Sequence, residues 1–150
     1  YDVHFLTVND HTFPAGSQDY GIRFYESGVL ETGSVYQYAD QQCGVGGNFY
    51  EDNSTSANYI RIDNTGSEQW VQHWYCYFYN LSDSTKYSFV TFHKVPKRLT
   101  SGGSYNSSGT YIDFGSGVLP QASTVDGIRV YDSSQTASAG TLSLYGIRYS

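Results

Sequence analysis

Apolar and polar side chains alternate with a period of two along most of this chain, and the runs are short, so strands are the elements to expect. "YDVHFLTV" sets Tyr1, Val3 and Phe5 on one face and then Leu6 and Val8 on the other, a phase change that predicts a bulge near residues 5–6. "HTFPAGSQD" reads as a turn, and "YGIRFYE" alternates Tyr20, Ile22 and Phe24 against Gly21, Arg23 and Tyr25. A short "SVYQYA" strand follows, then "CGVGGNFYEDNSTS" as a long loop, then the strand "ANYIRID". In "EQWVQHWYCYFYNL", Trp70, Trp74, Cys76 and Phe78 share one face, with Val71, His73, Tyr75, Tyr77 and Tyr79 on the other. A three-residue turn, "SDS", hands this strand on to "TKYSFVTFHKV" as a hairpin. "KRLTSGGSYNSSG" is a polar tip, and "TYIDFGSG", "DGIRVYDS" and "GTLSLYGIRYS" complete the strands. About nine or ten strands, with turn residues every eight to twelve positions, predict an all-β antiparallel sandwich, jelly-roll-like and without significant helix.

Composition agrees: aromatics are 17% and charged residues 15%, with 16 Tyr, 16 Gly and no Met. A chain of 150 residues fits one domain, residues 1–150, and buries enough surface to need no metal or disulfide staple. It begins at Tyr1, which reads as a processed product or the ordered part of a longer chain. A net charge of −6 argues against nucleic acid, because only Lys94, Lys97 and Arg98 cluster, on a loop expected after Pro96. No apolar run reaches the length of a membrane span. Cys43 and Cys76 permit one disulfide, and two unpaired thiols serve the sequence equally well. The sequons at Asn53, Asn80 and Asn106 matter only in a eukaryotic secretory pathway.

Catalytic chemistry is poorly represented. His4, His11, His73 and His93 are dispersed without zinc-ligand spacing; His73 and His93 fall on neighbouring strands, where ordinary buried or half-buried imidazoles are the simpler account. Glu26, Asp63, Glu68, Asp113 and Asp126 offer carboxylates for a glycosidase pair, but nothing local brings two of them together. "DNTGSE" at 63–68 lacks calcium-loop spacing and reads as a hairpin turn. No nucleophile elbow or phosphate loop occurs, so no catalytic residue, metal or cofactor is assigned.

The tyrosines carry the functional expectation. Phenol rings stack on sugar faces and bond hydroxyls, so Tyr75, Tyr77 and Tyr79, or Tyr36 and Tyr38 with Tyr50 nearby, are candidate glycan contacts. Tyrosine equally fills cores and interfaces, and Trp70, Trp74, Tyr75 and Tyr77 on the aromatic strand are the candidate subunit interface.

"AGTLSLYGIRYS", with "YGIRFYESG", "SVYQYADQ" and "VDGIRVYDSSQTASAGTL" earlier in the chain, resembles small β-sandwich domains of tailed-bacteriophage tail-fibre and head-surface proteins. That resemblance implies a non-enzymatic virion module, serving as a tail-fibre, receptor-binding or capsid-decoration unit. It would be assembled in host cytoplasm and would contact copies of itself, other virion proteins and host-cell glycan. A carbohydrate-binding module of an extracellular protein, with a Cys43–Cys76 bridge and a calcium site, is the alternative; a polysaccharide-degrading enzyme is the third reading. The repeated Gly-Ile-Arg at 21–23, 127–129 and 146–148 reads as strand chemistry, with Gly at a bulge, Ile in the core and Arg on the opposite face. It predicts a bulge at Tyr145-Gly146 and three arginines that do not converge.

Overall fold

The computed structural model describes residues 1–13, 19–64, 70–99, 105–132 and 139–148, and among them the period-two pattern is realised in eleven strands. They are β1 (Val3–Phe13), β2 (Asp19–Glu26), β3 (Val29–Leu30), β4 (Tyr36–Gly44), β5 (Phe49–Ala57), β6 (Ile60–Asn64), β7 (Trp70–Tyr79), β8 (Ser88–Leu99), β9 (Tyr105–Leu119), β10 (Val125–Asp132) and β11 (Ala139–Ile147). No described residue is helical. Every strand pair is antiparallel, in a seven-stranded sheet β11-β1-β7-β8-β9-β4-β5 and a four-stranded sheet in which β2 pairs with β10, β3 and β6.

The sheets pack face to face on one core. Tyr20, Ile22 and Phe24 of β2, Ile60 and Ile62 of β6 and Val125 of β10 meet Leu6, Val8, Trp74, Cys76, Phe78, Val90 and Phe92 of the larger sheet. Edge-to-face rings join the layers, Tyr20 to Trp74 at 5.5 Å and Phe24 to Phe78 at 6.1 Å. The seven-plus-four division differs from the two four-stranded sheets of a jelly roll.

Several local expectations are corrected. Residues 43–56 are mostly strand: β4 turns at 45–48 and returns as the edge strand β5. An edge strand with polar residues on both faces carries no alternation to read. The connection between β7 and β8 spans 80–87 rather than three residues, turning on Asn80 at φ 62° and tucking Leu81 into the core. The polar tip expected at 97–109 largely belongs to β8 and β9, which also puts Lys94 and Lys97 on a strand.

β1 has no bulge at 5–6; the phase changes because Val3 and Phe5 face outward while Leu6 and Val8 face the core. Its register slips instead between Val8 and His11, where Asp10 takes φ 51°. The Gly-Ile-Arg bulges are present at Gly21 and Gly127 but not at Gly146, where pairing with β1 runs unbroken. There the missing side chain makes room for the Tyr1 ring, and Ile147 faces outward, exposed. Arg23 and Arg129 lie opposite one another on β2 and β10, whereas Arg148 follows β11 of the other sheet.

Candidate functional site

The larger sheet has two unlike faces, and register fixes what each carries. On the outer face, Tyr75, Tyr77 and Tyr79 form the expected row. Phe5 stacks on Tyr77 at 4.7 Å, and His93 lies flat against Tyr75 at 5.3 Å. Trp74 is on the inner face, 3% exposed and within the core, so it is removed from the candidate interface. The Trp70 side chain lies outside the described residues. Tyr36 is also removed from the glycan candidates: it is fully buried, accepting a hydrogen bond from the Phe24 amide at 2.9 Å and donating to the Glu31 carbonyl at 3.3 Å. Burial pushes its phenol up to about 12. Tyr38 faces inward too, and its hydroxyl donates to Asp52 at 3.1 Å.

His73 and His93 are exposed on the outer face rather than buried; His73 sits 3.6 Å from Asp10. Cys43 and Cys76 are both free thiols, on strands separated by β8 and β9 and on opposite faces, so the bridge expected of a secreted module is absent.

The inner face changes character along the sheet. One cross-strand row runs Val8, Trp74, Lys94, Asp113, Gln42, Tyr50, and the next runs Leu6, Cys76, Phe92, Gly115, Asp40, Asp52. The apolar ends of both rows lie under β2. Among the described elements, β6 lies over their polar ends on β4 and β9. Gly117 lets β6 approach, since a side chain there would strike Ile60, and Gly115 leaves room for the Phe92 ring of the same sheet. Between β6 and the β4–β5–β9 face a polar cleft of about 280 Å³ opens, lined by Asp40, Gln42, Tyr50, Glu51, Asp52, Arg61, Ile62, Asp63 and Asp113.

At its inner end Lys94, fully buried, places its ammonium 2.5 Å from Asp63 and 2.6 Å from Asp113. Gln72, also fully buried, donates to Asp63 at 2.9 Å. The two carboxylates that sequence could not connect are thus no more than about 5 Å apart, the separation of a retaining glycosidase pair. Both are nearly inaccessible, and the ammonium between them holds them apart from any incoming group. Burial raises the Asp113 carboxyl, with Lys94 pulling against it. Nearer the mouth, Arg61 pairs with Asp52, the carboxylate that also accepts from Tyr38. Among the described residues Asp40 forms no ion pair, and burial pushes it up to about 6 against the pull of Arg61 and Lys94.

Sequence reasoning missed Lys94, Asp40, Gln42 and Arg61. The signal for Lys94 was present: it is in phase with Val90 and Phe92, which marks it as inward-facing. Among the described residues, no group of three or more His, Cys, Asp or Glu side chains is arranged to hold a metal ion, and no helix is long and apolar enough to cross a membrane. No family model, curated protein or solved structure matches the chain. The likeness to phage sandwich domains therefore rests on the quoted residues alone.

Proposed function

We propose that this chain is a non-enzymatic glycan-recognition module that takes one sugar residue in the cleft beneath β6. The carrying observation is the lining: carboxylates at Asp40 and Asp52, the amide of Gln42 and the guanidinium of Arg61 surround a half-exposed Tyr50 ring in a space of about 280 Å³. Carboxylates and amides exchange hydrogen bonds with neighbouring sugar hydroxyls, and a phenol ring stacks on the apolar face of the pyranose. The volume suits a single ring. The burial of Asp63 and Asp113 on either side of the Lys94 ammonium supports binding over hydrolysis, since neither carboxylate is open to a leaving group or a sugar carbon. A virion setting, as a tail-fibre, receptor-binding or head-surface unit, is supported by the closing "AGTLSLYGIRYS".

The test is a saccharide panel titrated against the labelled protein by NMR. Shifts are expected at Gln42, Tyr50 and Arg61, and Tyr50→Ala or Asp40→Ala should weaken binding at least tenfold with the circular dichroism spectrum unchanged. No shift with any saccharide at tens of millimolar sinks the reading, and release of new reducing ends would make the chain a hydrolase.

A further inference from the structure

We infer that the outer face of the seven-stranded sheet is an interface between two copies of this chain, stacked sheet on sheet. In an antiparallel sandwich the outer face of a sheet is ordinarily solvated and polar. Here it is not. One row reads Ile147, Val3, Tyr79, Phe89, Val118 from β11 to β9, with Val3 itself already buried, and another reads Tyr75, His93, Phe114 from β7 to β9. Between them the row continues from Tyr77 through Thr91, Ser116 and Ala39, all small, so two aromatic ridges flank a trough. Phe89, Phe114 and Tyr75 are 42%, 39% and 38% exposed. Val95 and Ile112 extend the apolar surface beyond the second ridge, at 48% and 54%.

Charge identifies the occupant. The chain carries 14 acidic residues, yet the paired outward positions of β11, β1, β7, β8, β9 and β4 hold none of them. Glu51 of β5 and Asp10 at the β1 bulge stand at the margins. With a net charge of −6, two copies repel as whole molecules, and a face without acidic side chains adds least to that repulsion. The ridge residues Phe89, Val118 and Phe114, and Ile112 beyond them, have no polar atom in their side chains, so a hydroxyl-rich ligand would lose hydrogen bonds there without replacement. What fits is a largely apolar sheet of matching twist without acidic side chains, and among the described residues this face, whose one outward lysine on β8 is Lys97, is itself such a surface.

Its size is sufficient. Six strands at about 4.8 Å and four rows at about 6.8 Å make a face on the order of 800 Å², which is what each partner of a stable interface buries. Sheets stacked about 10 Å apart and about 30° from parallel under two-fold symmetry would seat a ridge of one copy in the trough of the other.

The test uses the whole chain in two ways. Sedimentation velocity across a concentration series should show twice the 16.7 kDa monomer mass, and Phe89→Lys or Phe114→Lys should weaken dimerisation at least 100-fold. Cys43 lies on this face, partly exposed, while Cys76 is buried, so maleimide labelling of the unaltered protein reads the face directly. Its rate should fall at least fivefold as the concentration rises through the dimerisation range. A monomer at every concentration up to millimolar overturns the proposal, including one that binds a glycan or a different protein through this face. So does a dimer in which Cys43 labelling stays constant. Neither result touches the cleft beneath β6, whose binding is read separately through Tyr50.

Discussion

Lys94 shows most directly how one residue ties the fold to the site. Its ammonium is out of water, and the two carboxylates it bridges leave it compensated. Lys94→Met keeps the stem and removes the charge, so Asp63 and Asp113 face each other unneutralised. Breaking a buried pair in this way costs about 3–5 kcal/mol, and urea denaturation at pH 7 should show a loss of that order. The loss should shrink on acidification to pH 4, because two carboxyls within reach of one another take up a shared proton readily. A variant equally destabilised at both pH values would mean that packing of the stem, not the charge, is what matters. Sequence alone could place Lys94 on an inward face but could not say what met it there. Asp63 is 31 residues upstream and Asp113 is 19 residues downstream, and only the registers of β2–β6 and β8–β9 bring them together.

Among elements, legibility followed burial. β7 and the part of β8 up to Val95 read correctly because one face is core and every second residue shows it; Trp74, Cys76 and Phe78 alternate with exposed or half-buried residues. β5 did not, because its inward residues Tyr50 and Asp52 line the cleft rather than the core, and with Ser54 they are no more apolar than its outward ones. The connection at 80–87 was misread for the opposite reason: a loop supplies a core residue. Leu81 is 7% exposed in the core cluster, and its carbonyl accepts the Val125 amide at 2.6 Å, fastening the start of β10. Leu81→Ala should therefore cost about 2–4 kcal/mol, measured by thermal or urea unfolding, whereas Ser82→Ala one residue on should change nothing measurable. Equal, small effects would show that the connection is an ordinary surface loop.

At the scale of the whole molecule, seven strands face four, and the charge is housed where β6, at the edge of the smaller sheet, lies over β4 and β9 of the larger one. It also gives the stability a pH dependence made of opposing parts. His11 is buried against the Tyr20 hydroxyl at 2.8 Å, and burial lowers it to about 4 from 6.5. The unfolded chain then takes up the proton first, so stability is fully present above pH 6.5 and is lost as pH falls to about 4. Asp40, raised from 3.8 to about 6, has the reverse sign: its contribution is fully present below 3.8 and lost as pH rises to about 6, and Asp113 adds in the same direction. His11 is worth about 3 kcal/mol over that range, and Asp40, in a half-open cleft, about 1–2 kcal/mol. The wild-type protein should thus lose stability only gently between pH 6.5 and 4. Asp40→Asn should be more stable at pH 7 by about 1–2 kcal/mol and should fall more steeply on acidification, with the two denaturation curves converging near pH 4. His11→Gln, which keeps a hydrogen-bonding group beside Tyr20, should instead gain stability as pH drops from 6 to 4. Urea midpoints at pH 7, 5.5 and 4.5 for the three proteins decide the matter: parallel pH profiles would mean that neither group titrates differently in the folded and unfolded chain. Asp40 also lines the cleft, so the stability it withholds at neutral pH is the charge that a hydroxyl-bearing ligand would meet there.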